Sequence, residues 1–160
     1  MRSSYRYFIV FGLFVAACGK GPVYSEFQPL ADGIWHKDDI KEFLIEDPDT
    51  SRVFQMYINV RNDNAYPYSN LFLITSLESP TGETAIDTLE YEMAKPNGEW
   101  MGKGYGSIKE NKLWYKENID FPVKGVYKVR IQHAMRKNGT VEGIVELPGI
   151  IDVGVEIEKQ

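Results

Sequence analysis

The sequence predicts an all-β protein built as a single antiparallel β-sandwich, Ig-like or jelly-roll-like in arrangement. Short segments alternate apolar and polar residues, turn residues separate them, and little of the chain shows a long helical pattern. About seven to nine such segments fit two packed sheets, and a closed barrel is the alternative. The sandwich is expected to span residues 23–160. One short helical turn is predicted at Lys37–Phe43, where acidic residues come before apolar residues at i, i+3 spacing.

Three segments in the middle of the chain carry clear strand patterns. Phe54 to Val60 alternates like a half-buried strand, whereas Asn70 to Leu77 is apolar on both parities, as in a strand covered on both faces. Thr84 to Met93 is a third strand candidate, with Leu89, Tyr91 and Met93 inward and Thr88, Glu90 and Glu92 outward. Pro96-Asn97-Gly98 then predicts a turn.

The C-terminal part is predicted to continue with strands and hairpins. Leu113 to Phe121 is an aromatic strand candidate, and Tyr127 to His133 has the most regular alternation in the chain. Asn138-Gly139 predicts a type I′ hairpin turn, with Thr140 to Glu146 as the returning strand. Alternation from Ile151 to Glu158 predicts a last strand that closes the domain.

The N-terminus is typical of a bacterial lipoprotein signal peptide. Two arginines come before an uncharged run from Tyr7 to Ala17, which ends on small residues directly before Cys18, the one cysteine of the chain. The run is far shorter than the roughly 20 residues that a membrane-spanning helix needs. We therefore expect residues 1–17 to be cleaved, Cys18 to be lipidated, and residues 18–22 to form the lipidated cysteine and a flexible tether. An ordinary signal peptide with an incidental cysteine is the alternative.

The net charge and the tether residues indicate how the mature chain is attached to a membrane, and to which one. Loss of residues 1–17 changes the formal net charge from −5 to −7, because two arginines and no acid are removed. Such a chain is not expected to bind nucleic acid or to dock on anionic lipid by charge. Acyl chains on Cys18 are expected to hold it. The tether lacks the acidic cluster that would resemble a surface-export signal of lipoproteins, and it lacks the aspartate that would resemble an inner-membrane retention signal. The expected location is therefore the outer membrane, facing the periplasm.

The sequence offers little catalytic chemistry, and no catalytic residue, metal or cofactor is expected. His36 and His133 are the only histidines, and His133 lies on the inward parity of its strand, where a hydrogen-bonded core or edge histidine is favoured over a catalytic one. The glycine-rich segment Gly102–Gly106 lacks the P-loop and dinucleotide patterns. Two alternatives are disfavoured but stay open: a hydrolase using paired carboxylates, and calcium at acidic turns such as Glu46–Asp49.

Aromatic residues supply the candidate interaction surface. In a strand, Trp100 would share one face with three glycines. A ring such as Trp35 or Trp114 could pack across that face in the core, which is the favoured interpretation, or the face could be a smooth track for a ligand or partner. Loop aromatics such as Tyr66 and Tyr68 are also suitable interface anchors, although a tyrosine that folds back onto the sandwich is an equally ordinary outcome. The candidate interaction surface comprises Tyr66, Tyr68, Trp100, Lys103 and Tyr105.

A series of motifs in fixed order covers nearly the whole mature chain. They are the lipobox ending at Cys18, Trp35 followed by Phe43, Ile58-x-Val60-Arg61, Tyr66-Pro67-Tyr68-Ser69-Asn70-Leu71, Asp87-Thr88-Leu89, Gly98-x-Trp100-x-Gly102-x-Gly104-x-Gly106, Gly125-x-Tyr127, His133-Ala134-Met135-Arg136, and Gly143-Ile144 followed by Ile151-Asp152-Val153-Gly154. In this order they resemble the GldH family of gliding-motility lipoproteins from Bacteroidota. A departure is Val145–Ile150, which looks inserted and leaves the register of the final hairpin open.

The resemblance implies a non-enzymatic cell-envelope lipoprotein required for gliding motility. It implies a link to other proteins of the gliding apparatus and of type IX secretion, with Cys18 as the lipidation site and no catalytic residue. Another function fits the residues themselves: a carbohydrate-binding lipoprotein of the outer membrane, with Trp100, Tyr66 and Tyr68 as stacking rings.

Overall fold

The structure, a computed structural model, describes residues 21–160. The predicted signal peptide, Cys18 and most of the tether lie outside the described residues. The strands are β1 (Tyr24–Pro29), β2 (Ile34–His36), β3 (Lys41–Glu46), β4 (Val53–Asn62), β5 (Asn70–Glu78), β6 (Thr84–Glu92), β7 (Lys109–Asp120), β8 (Val126–His133), β9 (Glu146–Pro148) and β10 (Ile150–Lys159), with a 3₁₀ turn at Ala31–Gly33. In this part of the chain, no helix has the length and apolar character needed to cross a bilayer.

The strands form two four-stranded antiparallel sheets and a short ribbon, which confirms the predicted sandwich. Sheet 1 has the order β1-β10-β4-β7, sheet 2 the order β3-β8-β5-β6, and the ribbon pairs β2 with β9. The edge strands of the two sheets are bridged by side chains. Gln28 Nε2 on β1 donates to the Glu42 carbonyl on β3 at 2.6 Å, and Lys116 on β7 pairs with Asp87 on β6 at 2.9 Å.

The core lies between the sheets and follows the period-2 alternation of the strands. Met56, Ile58 and Val60 on β4 are fully buried, and Val129 and Ile131 on β8 are equally buried from the other sheet. The predicted strands Thr84–Met93 and Tyr127–His133 therefore have the expected inward faces. Phe54–Val60 does too, but it is not half-buried as predicted, because Tyr57 and Asn59 on its other face are also buried. In β5, Leu71 and Leu73 are buried but the opposite parity is only half-buried, so one face of this strand is less covered than predicted.

The predicted helical turn at Lys37–Phe43 is wrong. A turn at Lys37 and Asp38 leads directly into β3, which pairs with β8 along its whole length. Phe43 and Ile45 alternate inward and are buried, whereas Ile40 is 49% exposed. Sheet pairing offers this short segment more hydrogen bonds and more apolar burial than one isolated helical turn can provide.

The predicted returning strand Thr140–Glu146 is also wrong. Gly139 has a positive φ of 82° and Asn138 does not, so the turn is not type I′, although Thr140 N donates to the Lys137 carbonyl at 3.0 Å. Residues 140–145 form only one isolated antiparallel bridge, between Gly143 and Arg136.

The segment Val145–Ile150 contains β9, which pairs with β2 instead of with β8. The ribbon brings two fully buried side chains, Trp35 and Leu147, opposite each other. A bulge between Ile150 and Asp152 then shifts the last strand, so that Ile150, and not Ile151, faces the core.

Strand register defines two ends of the sandwich. The tether enters at Tyr24, which pairs with Ile157 near the chain's C-terminus. At the other end of β10, Ile150 pairs with Asn62, the last residue of β4. Because β10 has ten residues, these ends are about 30 Å apart at the usual rise of a strand. We call them the tether end and the distal end.

Candidate functional site

The five predicted surface residues lie at the distal end, in two neighbouring clefts. The aromatic cleft, of about 620 Å³, is lined by Tyr66–Asn70, Glu90, Glu92, Ala94–Pro96, Gly98 and Trp100. The loop cleft, of about 680 Å³, is lined by Glu92, Met101–Tyr105 and Glu110–Leu113. Glu92 lines both clefts. Tyr66, Tyr68 and Trp100 are thus brought together, while Lys103 and Tyr105 belong to the adjoining cleft.

Tyr66 supports the aromatic cleft from inside the protein. It is only 3% exposed, and its hydroxyl donates to the Asn70 carbonyl at 2.6 Å. Burial raises the pKa of its phenol well above the usual range. Its ring lies 5.8 Å from that of Tyr68 and 6.2 Å from that of Trp100, centroid to centroid. Tyr66 is therefore not itself exposed in the cleft, and it positions the half-buried rings of Tyr68 and Trp100.

The two walls of the aromatic cleft are joined by backbone hydrogen bonds. One wall is the loop Tyr66–Ser69, and the other is the hairpin Ala94–Trp100 with the predicted turn at its tip. The Ser69 carbonyl accepts from the amides of Met93 and Ala94, at 2.7 and 3.1 Å. These hydrogen bonds, which lie at the end of β6, therefore fix the two walls of the cleft relative to each other.

Further hydrogen bonds orient the side chains that line this cleft. Trp100 Nε1 donates to Asn64 Oδ1 at 3.2 Å, which pins the indole by its edge. Asn70 Nδ2 donates to Glu90 Oε1 at 2.9 Å. Lys95 pairs with Glu99 at 3.0 Å, on the same hairpin. The cleft therefore offers aromatic rings beside an amide and a carboxylate that are held in place.

Sequence patterns did not single out Asn64, Asn70 or Glu90 as site residues. Asn70 and Glu90 become neighbours because β5 and β6 pair antiparallel, with Asn70 opposite Glu92 and Phe72 opposite Glu90. Counting residues back from the β5–β6 turn would have predicted the Asn70–Glu90 contact. Nothing in the sequence marks Asn64 as the partner of Trp100, since 36 positions separate them.

The segment Trp100–Ile108 is a loop and not a strand, so the predicted face of three glycines does not form. A Cβ on Gly102 would lie 2.7 Å from Asn111 Oδ1, and one on Gly104 would lie 2.5 Å from the Ile108 carbonyl oxygen. These glycines therefore allow the loop to fold tightly onto itself and onto β7.

Neither tryptophan considered for the glycine face packs there. Trp35 contacts the ring of His133, and Trp114 contacts the ring of Tyr57 with centroids 4.6 Å apart. Both interpretations of the glycine face, a covered core surface and a smooth track, are therefore wrong.

The glycine-rich loop presents Tyr105 at its tip. Lys103 and Glu110 exchange two backbone hydrogen bonds of 2.8 Å, and Lys109 Nζ donates to the Gly104 carbonyl at 2.9 Å. Tyr105 is fully exposed and Met101 is 49% exposed. The base of the loop is thus anchored while its tyrosine projects into solvent.

The two histidines lie in different environments. His36 is exposed, whereas His133 is buried and both of its ring nitrogens lack hydrogen-bond partners among the described residues. The predicted hydrogen-bonded core histidine is thus buried but unsatisfied. Within residues 21–160, no three His, Cys, Asp or Glu side chains cluster as a metal site requires.

Comparison with known proteins shows the family. The family model described as GldH lipoprotein matches residues 22–157. A protein of Christiangramia forsetii, named gliding motility lipoprotein GldH homolog, is 52% identical over 161 residues, which cover 99% of this chain and 98% of that protein. A protein of Flavobacterium johnsoniae, named gliding motility lipoprotein GldH, is 44% identical over 144 residues, 90% of this chain and 89% of that protein. The chain belongs to the GldH lipoprotein family.

Proposed function

We propose that this chain is a non-enzymatic lipoprotein of the cell envelope that is required for gliding motility. It acts as an interaction and assembly component linked to the gliding apparatus and to type IX secretion. The observation that carries the proposal is its 44% identity, over 90% of the chain, to the Flavobacterium johnsoniae protein named gliding motility lipoprotein GldH.

The anchor is a lipid on Cys18, and it holds the tether end close to the membrane. β1 begins at Tyr24, so only residues 19–23 separate Cys18 from the first strand, a span of at most about 20 Å when extended. The outer membrane, on its periplasmic side, is the proposed location. In that arrangement the distal end points away from the bilayer and into the periplasm.

The loop tip at Tyr105 is the proposed contact with other envelope proteins. Fully exposed Tyr105 and half-exposed Met101 lie on the same loop, and tyrosine is a frequent anchor of protein interfaces. The loop is held at its base by Lys103 and Glu110. Binding would therefore require little ordering of the backbone, which lowers the entropic cost of association.

Deletion of the gene in its native host tests the motility role. We expect loss of colony spreading and of single-cell movement, both restored by the wild-type gene in trans. A complementing Tyr105→Ala gene should restore movement poorly at equal protein level, whereas Tyr105→Phe, which keeps the ring, should restore it. Normal movement of the deletion strain would refute the role in gliding.

A further inference from the structure

We propose that the aromatic cleft binds a neutral hexopyranose unit of an oligosaccharide or polysaccharide. Tyr68 and Trp100 would pack against the apolar face of the sugar ring, and Asn70 with Glu90 would hydrogen-bond its hydroxyl groups. This site is separate from the protein contact proposed at Tyr105, and it does not depend on that contact or on the motility role.

The rings supply the surface that a pyranose requires. Sugar rings carry C–H groups on one face, and these pack on aromatic faces while the hydroxyls point sideways toward polar groups. Tyr68 and Trp100 line the cleft and both contact Tyr66, which lies beneath them. Because Tyr66 is itself buried and hydrogen-bonded, it holds both rings before any ligand arrives.

The Asn70–Glu90 pair supplies hydrogen-bonding groups beside those rings. Neighbouring sugar hydroxyls each donate and accept, so they suit an amide next to a carboxylate. The bond between Asn70 Nδ2 and Glu90 Oε1 uses one hydrogen and one oxygen, and each group has further capacity to bond. It also fixes the separation of the two groups, which reduces the entropy lost on binding.

Charge in the cleft favours a neutral glycan over an anionic one. Glu90 and Glu92 both line it, and the one lysine in its lining, Lys95, is paired with Glu99 at 3.0 Å. Phosphorylated or uronic acid sugars would therefore meet negative charge with little compensation. A neutral hexose or N-acetylhexosamine meets no such barrier.

The orientation of Trp100 argues against a proline-rich peptide as the occupant. Grooves that bind such peptides are lined with aromatic residues, and this cleft shares that feature. Here the indole N–H already donates to Asn64 Oδ1, so Trp100 offers its ring face and no free donor for a peptide carbonyl. The volume of about 620 Å³ is that of an ordinary small-ligand site.

Calorimetry and tryptophan fluorescence on the full mature chain test the proposal. The probes are cellotetraose, mannotetraose and chitotetraose as neutral glycans, tetragalacturonate as an anionic one, and a proline-rich decapeptide. We expect saturable binding of at least one neutral tetrasaccharide with a change in tryptophan emission, and at least about tenfold weaker binding of tetragalacturonate.

Variants test whether the glycan binds in the aromatic cleft or elsewhere on the surface. Trp100→Ala and Tyr68→Ala should each weaken binding about tenfold or more, whereas Trp100→Phe keeps a ring and should retain most of it. Trp114→Ala, which removes a 47%-exposed tryptophan of β7 outside the cleft, is the matched control and should bind like wild type. Equal unfolding midpoints would show that the variants are folded.

Three results would overturn the proposal. The first is no binding of any neutral tetrasaccharide up to about 10 mM, a concentration well above the weakest specific affinities expected. The second is binding that Trp114→Ala reduces as much as Trp100→Ala does. The third is tight binding of the proline-rich peptide with none of the glycans, which would assign the cleft to a protein segment.

Discussion

The indole of Trp35 meets the imidazole of His133 edge to face, with ring centroids 5.5 Å apart and planes inclined by 70°. Both side chains are buried, one on the β2–β9 ribbon and the other at the end of β8. Leu73 pairs with His133 across the sheet. Burial lowers the pKa of His133; a charge on His36 would lower it further, and the nearby Trp35 backbone opposes these effects. The folded protein therefore favours the neutral form of this imidazole.

Stability should fall on mild acidification because of His133. The unfolded chain takes up a proton at the ordinary histidine pKa of about 6.5, whereas the folded chain resists it, so the unfolded state binds more protons below that pH. Urea unfolding should show constant stability from pH 8 to 7 and a decline below about pH 6.5. One proton limits the slope to about 1.4 kcal/mol per pH unit.

Two variants test whether His133 is the group that causes this pH dependence of stability. His133→Phe keeps a ring against Trp35 without a titrating group. Its free energy of unfolding should therefore change less with pH between about pH 7 and 5.5 than that of the wild type. His36→Gln, at the exposed histidine, should keep the wild-type decline. An unchanged slope in His133→Phe would show that the imidazole is not the group responsible.

Gly149 should tolerate no side chain, because it touches the backbone under the aromatic cleft. A Cβ there would lie 2.1 Å from Tyr66 N, and the residue has a positive φ of 82°. Its carbonyl also accepts from the Asp63 amide at 2.9 Å, so it cannot shift freely. We expect Gly149→Ala to lower the free energy of unfolding by at least about 3 kcal/mol, from clash and strain together.

Gly139→Ala is the matched control for that clash. Gly139 has the same φ of 82°, but nothing lies within 4 Å of a Cβ built there. Its substitution should cost only the backbone strain, about 1 to 2 kcal/mol. Urea unfolding of both variants measures the difference, and equal losses would mean that contact with Tyr66 adds nothing.

Regular alternation made much of the sandwich predictable. Phe54–Val60 and Tyr127–His133 each bury an apolar face, and such a face imposes a period of two on the sequence, although Tyr57 and Asn59 on the other face of β4 are buried too. β3 and β9 were missed because each is defined by a partner far along the chain: Phe43 pairs with Val129, and Leu147 pairs with Trp35. A segment of three to six residues is too short for its own pattern to identify it as a strand.

The sequence predicted which residue types form the candidate site, but not how these residues are arranged in space. Aromatic loop residues suggested an interface, yet Tyr66 is buried and Tyr105 is fully exposed, a difference that depends on how each loop folds back. The loop around Gly102 was expected to extend as a strand. It folds instead because Asn111, buried and bonded to the Val60 carbonyl at 3.1 Å, occupies the space beside it.

Tyr105 should be dispensable for folding and required for contact. Its side chain is fully exposed, so Tyr105→Ala should change the free energy of unfolding by no more than about 0.5 kcal/mol. A photo-crosslinking amino acid at position 105 should capture an envelope protein in living cells. The same probe at exposed Glu83, in the turn at the tether end, should not, and equal capture from both positions would exclude a specific contact at the loop tip.

Cys18→Ala should release the protein from the membrane. The proposed lipid is attached through the Cys18 sulfur, and more than one acyl chain is needed for stable anchoring, so removal of this sulfur leaves no anchor for an acidic chain. Detergent-phase partitioning should move the variant to the aqueous phase or leave it unprocessed. Mass spectrometry of the wild-type protein should find Cys18 as its first residue, carrying acyl mass. An unmodified N-terminus at another residue, or partitioning that Cys18→Ala leaves unchanged, would contradict lipidation.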